Sequence, residues 1–335
     1  MSSVNANLVK EINLNKLRNT FKFKKIASKP QLAELTGLSV VTINSLVKIL
    51  VENGEVIEDV ILPSNGGRPA TAYRFNSEFS LALVIYMYEQ RGKDTTFICV
   101  SNLYGEILEK TEITMIKIEN HSFDSLIEKM LIKYPNIKVI SFGMPGEEIE
   151  GRLLISDYKE LKDQFFTSYI KEKFKLPVIF ENDINAAVEG YCYSHRITEK
   201  QCVIGIYFPG KYPPGAGIYI NGGIYKGRNG LAGEIKYLPF EIDWENFDYN
   251  EEQMKEIIIK IVLSFCCMYN PDTIVIYGEE IPDTIIEEFK RICNSEAEKI
   301  MIPEIVISKN LNHDFEVGIK QIALKALEPT LQLRR

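Results

Sequence analysis

Lys29-Pro30-Gln31-Leu32-Ala33-Glu34-Leu35-Thr36-Gly37-Leu38-Ser39, followed by Val40 to Leu50, reads as two helices joined by a tight turn. Pro30 suits a first helical turn, where its missing N–H costs nothing. Ala33 is small where two helices must touch, and Gly37 follows where the chain must turn. Ser39 is a good N-cap for the second helix. Ile43, Leu46, Val47 and Leu50 then recur at helical spacing as one apolar stripe. This is the pattern of a helix-turn-helix, whose second helix commonly enters the DNA major groove. The same pattern also occurs as a plain αα-hairpin in a core, so the opposite face matters. That face carries Val41, Asn44, Ser45 and Lys48, not the Glu/Lys mixture of an ordinary solvated helix. Asn44 and Ser45 can hydrogen-bond base edges, Val41 can meet a thymine methyl, and Lys48 can reach phosphate. Ser39 and Thr42 complete the candidate DNA-contacting set on this helix.

A hairpin follows. Glu55 to Leu62 alternates like a strand, Pro63-Ser64-Asn65-Gly66-Gly67 is a turn cluster, and Ala70 to Phe75 resumes a strand. Helix-turn-helix plus hairpin predicts a winged helix over residues 1–76. Arg68, between Gly67 and Pro69, sits at the wing, where an Arg can enter a minor groove. The plain alternative is an exposed loop Arg. Up to Asn76 the chain has ten basic and six acidic residues; beyond it there are 29 basic and 40 acidic. A basic head on an acidic body suits nucleic-acid contact by the head alone.

With 335 residues, 45% apolar and 25% charged, two or three globular domains are expected. No signal peptide and no apolar run long enough to span a bilayer is evident, so a cytoplasmic protein is expected. The six cysteines, Cys99, Cys192, Cys202, Cys266, Cys267 and Cys293, lie in apolar surroundings and read as buried free thiols. The lack of a CxxC argues against zinc. From Leu81 onward, β-rich runs and helical stretches alternate, predicting an α/β body with two mixed sheets. The strands expected are Leu81–Tyr88, Thr95–Val100, Ile107–Ile116, Ile137–Phe142, Pro177–Glu181, Val203–Phe208, Ala216–Ile220 and Asp272–Tyr277. Helices are expected over Ser122–Lys133, Phe165–Phe174, Ile184–Tyr193 and Glu252–Tyr269.

Three segments carry a resemblance. Glu181-Asn182-Asp183-Ile184-Asn185-Ala186-Ala187 resembles the Asn-Asp-x-Asn-Ala-Ala segment of the ROK family of repressors and sugar kinases. Gly215-Ala216-Gly217-Ile218, continuing through Asn221–Gly227 and Asn229-Gly230-Leu231-Ala232-Gly233-Glu234-Ile235, resembles its central signature. Asn270-Pro271-Asp272-Thr273-Ile274 resembles its Asn-Pro-x-x-Ile strand, and the winged helix ending in Gly67-Arg68-Pro69 is similar to the repressor branch. The match covers nearly the whole chain in the family's order. It implies a winged helix-turn-helix over 1–76 and an actin-like, ribonuclease H-like sugar-kinase body. That body would have a first lobe over 77–183 and a second over 184–335, the C-terminal helix returning to the first lobe. It implies a sugar in the cleft held by Asn182, Asp183 and Glu234, Asp183 matching the kinases' general base. By its position alone, Asp183 would equally be an N-cap of the following helix, and Glu189 a solvated residue on it.

The departures from the family are specific. Val84-Ile85-Tyr86-Met87-Tyr88-Glu89-Gln90 stands where kinases carry an Asp-x-Gly-x-Thr phosphate turn. Lys211-Tyr212-Pro213-Pro214 replaces a second phosphate loop, and two prolines remove two N–H donors. Tyr277-Gly278-Glu279-Glu280 replaces the Gly-rich turn near the nucleoside. Where the family binds zinc with a His and a Cys run, Tyr237 to Ser264 holds neither residue, so no metal is expected. Lys236, beside Glu234, would pair with an anionic sugar or lie on the surface. The chain therefore reads as a DNA-binding regulator, a repressor, whose kinase-like body senses a sugar without cofactor or catalysis. Its expected partners are an operator duplex, a sugar or sugar derivative, and its own copy as a homodimer or dimer of dimers. The alternatives are an active sugar kinase with an appended winged helix, and a regulator whose body only dimerises.

Overall fold

The computed structural model describes residues 2–62, 70–90, 93–115, 117–156, 158–210, 212–247, 250–279, 281–282, 284–292 and 302–328. The head begins with a long helix, α1 (Ser2–Lys24), then β1 (Ile26–Ser28), α2 (Lys29–Thr36), α3 (Val40–Glu52), β2 (Val56–Leu62) and β3 (Ala70–Phe75). Gly37 ends α2 in the left-handed region, φ 66°, with its N–H on Ala33 O at 2.9 Å. A Cβ there would meet nothing within 4 Å, so the turn asks for Gly's backbone freedom rather than for space. The bend between α2 and α3 is 113°. Ile43, Leu46, Val47 and Leu50 are buried against Leu32, Val56, Phe75 and the α1 residues Leu14, Leu17 and Phe21. Burying each such side chain is worth about 1.5–3 kcal/mol. β3 is central in an antiparallel sheet of order β1-β3-β2. Arg18 on α1 locks that helix in place with a bidentate pair to Glu55, Nε–Oε2 2.5 Å and Nη2–Oε1 2.8 Å. Arg68 and the rest of the predicted wing tip lie outside the described residues.

The body holds two five-stranded mixed sheets. The first contains β4 (Leu81–Gln90), β5 (Lys93–Ser101), β6 (Ile107–Thr114), β7 (Ile137–Gly143) and β10 (Val178–Glu181). The second contains β11 (Val203–Tyr207), β12 (Gly215–Ile220), β13 (Gly223–Ile224), β14 (Thr273–Tyr277) and β15 (Glu304–Ser308). A hairpin, β8 (Gly146–Ile149) and β9 (Arg152–Ser156), projects after β7. Both sheets share one topology: an antiparallel meander of three strands, then two strands added parallel to the first. That duplication agrees with the actin-like body that the resemblance implies. Helices α4 (Asp124–Lys133) and α5 (Phe166–Phe174) cover the first sheet. Helices α7 (Glu251–Tyr269) and α8 (Ile285–Ile292) cover the second.

Two helices, α6 (Asp183–Ser194) and α9 (Leu311–Ala326), fill the space between the sheets. Their shared cluster takes Val84, Tyr86 and Val139 from one sheet and Val203, Tyr219 and Val275 from the other. The division expected at 183/184 thus falls at the start of a helix that serves both lobes. Gly190 and Gly318 let α6 and α9 cross backbone to backbone. A Cβ on Gly318 would stand 1.7 Å from Ala186 O, and one on Gly190 1.9 Å from Asp314 O. Beyond Ala326 the chain reaches the head, where Glu328 pairs with Lys22 at 2.8 Å. Lys25–Glu106 at 3.4 Å and the Phe75–Tyr104 ring contact at 5.7 Å add to this junction. Among the described residues, no single helix is long and apolar enough to cross a membrane.

Two sequence expectations change here. Glu189 is buried, not solvated, because α9 lies over it and Lys325 pairs with it. Cys267 is exposed, facing away from the core that holds Cys266; Cys99, Cys192 and Cys202 are buried. Cys293 lies outside the described residues.

Candidate functional site

The outer face of α3 presents four side chains together. Val41 is 79% exposed, and Asn44, Ser45 and Lys48 are exposed beside it. Their spacing follows from the buried stripe, which turns these positions outward. Ser39 Oγ accepts from Thr42 N at 3.1 Å and lies 2.8 Å from Thr42 Oγ1. The Ser39 hydroxyl therefore caps the helix and pairs with that of Thr42, leaving Asn44 and Ser45 as the polar groups offered outward. Lys48 lies 3.7 Å from Glu52, an exposed pair that contributes little and competes weakly for the ammonium.

The second site is the cleft between the sheets. β4, β7 and β10 are parallel neighbours whose C-terminal ends align, with Tyr86 beside Gly143 and Gly143 beside Glu181. β11 and β14 end in register at Tyr207 and Tyr277. Ligands of open α/β sheets sit outside such carboxyl ends. A cleft of about 770 Å³ opens there. Asn182, Asp183, Glu234 and Lys236 all line it. The chain leaves β10 and turns into α6 with Asn182 as N-cap, its Oδ1 accepting from Asn185 N at 2.8 Å. The cap is therefore Asn182, not Asp183. Asp183 is the first helical residue, where its Oδ1 accepts from Ile184 N at 2.8 Å. A carboxylate there is also favoured by the positive end of the helix dipole. Glu234 is held where Ala216 N donates to Gly233 O at 3.0 Å. Lys236 pairs with Glu234 at 3.1 Å, so much of its charge is already balanced.

Two groups beside this site went unassigned in the sequence. Glu147, on β8, accepts a hydrogen bond from the Asn182 side-chain amide. Glu181 is 5% exposed, accepts from Asn185 Nδ2 at 3.1 Å, and pairs with Lys226 at 2.8 Å. Met144-Pro145-Gly146-Glu147, following a buried strand, is the one sequence signal that could have found Glu147. Burial pushes the Glu147 carboxyl up to about 8 from 4.5, with Glu181 and Glu234 adding to the rise. The Asn182 amide and Lys226 oppose it. At neutral pH Glu147 is thus mostly protonated and can donate a hydrogen bond to a ligand hydroxyl.

This has a consequence for stability. The folded chain keeps the Glu147 proton to about pH 8, whereas an ordinary Glu releases it near 4.5. Between those values the folded state binds the extra proton, so its contribution is full below the lower value. It is lost as pH rises, at up to about 1.4 kcal/mol per pH unit. Glu147→Gln keeps the acceptor for Asn182 and cannot ionise. Thermal melts from pH 5.5 to 8.5 should show the variant losing less stability than the parent. Parallel curves would mean that Glu147 ionises normally.

Residues of all three segments that depart from the kinase pattern line the same cleft: Tyr88 and Glu89, Tyr212 to Pro214, and Gly278 with Glu279. β4 pairs with β5 as far as Gln90 with Lys93, so no open turn separates Tyr86 from Glu89. Tyr86 is fully buried and stacks on Phe97 at 5.0 Å; Tyr88 stacks on the same ring at 4.9 Å. Lys211 and Glu280 lie outside the described residues. Among the described residues, no group of three or more His, Cys, Asp or Glu could hold a metal ion.

The ROK family model matches residues 90–243. It is 29% identical over 243 residues to a xylose repressor of Caldicellulosiruptor bescii, covering 69% of this chain and 59% of that protein. It is 24% identical over 245 residues to an N-acetylglucosamine repressor of Escherichia coli, covering 71% and 59%. The match thus spans about three fifths of the length of these curated relatives. Among solved structures, a ROK family transcriptional regulator, described as a homologue of the E. coli MLC protein, superposes with a TM-score of 0.66 at 18% identity. That alignment covers 96% of this chain and 98% of that one. A ROK family glucokinase from Streptomyces griseus, in complex with glucose and AMPPNP, matches with a TM-score of 0.53 at 16% identity, covering 73% and 100%. These likenesses establish a shared fold.

Proposed function

We propose that this protein is a DNA-binding transcription regulator of the ROK family, a repressor, in which a kinase-like body that does not transfer phosphate senses a sugar. One observation carries the reading. Asn182, Asp183 and Glu234 line one cleft together with Tyr88, Glu89, Pro213 and Pro214, residues of the segments that stand where the kinases carry phosphate loops. Asp183 and Glu234 can accept sugar hydroxyls, and protonated Glu147 can donate to one. The names of the curated relatives support the repressor role and make xylose and N-acetylglucosamine the first sugars to test. In this reading α3 enters the major groove of an operator duplex, and a homodimer or dimer of dimers in the cytoplasm presents two heads to two half-sites.

A ligand changes DNA affinity only if it binds two conformations unequally. Closure of the cleft is the natural pair of states. α6 begins in the cleft at Asp183, and α9 begins there at Leu311. The two cross at Gly190 and Gly318, and α9 leads on to Glu328 against Lys22 of the head. A shift of this rigid pair on ligand closure would reach α1 directly.

The competing reading is an active kinase. A coupled ADP-release assay over a sugar panel distinguishes them. The expected result is a rate at background with every sugar. Turnover above background that Asp183→Asn abolishes would reverse the assignment.

A further inference from the structure

The cleft that holds Asn182, Asp183 and Glu234 is also lined by rings and further carboxylates. Tyr88, Phe208, Tyr212, Pro213, Pro214 and Phe315 line it, and Tyr212 is 52% exposed. Glu89, Asp94 and Glu279 line it too. Burial and the neighbouring Glu89 raise the Asp94 carboxyl, a sign that negative charge is already crowded there. Among the described residues two cations line the cleft, Lys309 and Lys236, and Lys236 is already paired with Glu234. A polyphosphate would meet like charge and ring faces instead of backbone donors. A cleft of about 770 Å³ is far larger than one sugar ring; pockets of roughly 300–1,000 Å³ enclose whole drug-sized ligands.

Sugar rings are two-sided in a way that fits this lining. Their faces carry C–H groups that pack on aromatic and prolyl surfaces, and their edges carry hydroxyls that donate to carboxylates. We propose that the cleft takes a neutral oligosaccharide. One ring lies at Asn182, Asp183 and Glu234, and a glycosidically linked ring lies over Tyr88, Tyr212 and Pro213–Pro214 in place of a nucleotide. The inference rests on the carbohydrate reading of the same cleft and adds the size and charge of the ligand. Acidic edges without phosphate donors suit uncharged hydroxyls and reject sugar phosphates.

Isothermal titration of the full-length protein tests it with three matched pairs: xylose and xylobiose, glucose and cellobiose, N-acetylglucosamine and chitobiose. In one pair the disaccharide should bind at least tenfold tighter than its monosaccharide. Tyr212→Ala should remove that gain and leave the monosaccharide affinity unchanged, while Tyr212→Phe keeps it. Tyr212 is exposed, so neither change threatens folding. Equal affinity for both members of a pair that binds would overturn the inference and leave sugar sensing standing. AMPPNP binding that competes with the disaccharide would overturn it by giving this space to a nucleotide. Binding of none of the six sugars would reject the sugar reading itself.

Discussion

Gly318→Ala is expected to destabilise the protein by about 3 kcal/mol, the upper end of what one inserted methyl costs in a packed core. The melting midpoint should fall by roughly 4 °C. In an ordinary helix the same change would help, because Ala is the better helix former by about 1 kcal/mol. Here the added Cβ would stand 1.7 Å from Ala186 O, and backbone atoms cannot rotate away as a side chain can. α6 and α9 would have to part, disturbing the cluster that joins the two sheets. Gly223→Ala is the control, since its Cβ would meet nothing within 4 Å. Differential scanning calorimetry of both variants decides the matter. A Gly318→Ala midpoint within a degree of the parent would mean that the crossing yields easily, and the helix pair would lose its role as a rigid connector.

Asn44→Ala combined with Ser45→Ala is expected to cost a few kcal/mol of operator affinity, because each base-edge hydrogen bond is worth about 1–3 kcal/mol. Affinity for random DNA should hardly change, since backbone contacts carry that term. Both side chains lie on the exposed face of α3, so the double change should leave stability within about 0.5 kcal/mol of the parent. Arg68→Ala should weaken both duplexes with less effect on sequence choice. Operator and random-duplex affinities at one fixed salt concentration give the answer. An operator affinity unchanged in the double variant would mean that another surface reads the bases.

The sequence showed best the segments whose signal is local. The apolar stripe from Ile43 to Leu50 placed α3 with its start at Val40 and its end two residues short of Glu52, and Ala70 to Phe75 coincides with β3. Both body sheets were legible because their strands are short apolar runs separated by turn residues. α1 was not read, since Leu14, Leu17 and Phe21 sit among Asn and Lys residues that dilute the stripe, and its anchors, their core packing and the Arg18–Glu55 pair, are tertiary. The β8–β9 hairpin, α8, β15 and most of what α9 does were also missed. α9 becomes meaningful only when Gly318 meets Gly190, 128 positions away in sequence, and no periodicity within α9 announces that meeting. In the cleft, Asn182, Asp183 and Glu234 were legible by resemblance. Glu147 was not, because its importance comes from burial beside Asn182 and Glu181, which no local pattern encodes.

The central claim is that a sugar in the cleft changes the grip of the head on DNA. Fluorescence anisotropy of a labelled operator duplex tests it, with and without a saturating concentration of whichever sugar shifts the melting midpoint. Operator affinity of the parent should change by about 5–150-fold, the range given by a coupling of roughly 1–3 kcal/mol. Asp183→Ala should bind the operator like the sugar-free parent and ignore the sugar. Asp183→Asn, which keeps an acceptor for Ile184 N, checks that the helix start is intact. A parent protein that binds the operator equally well at saturating sugar would contradict the account.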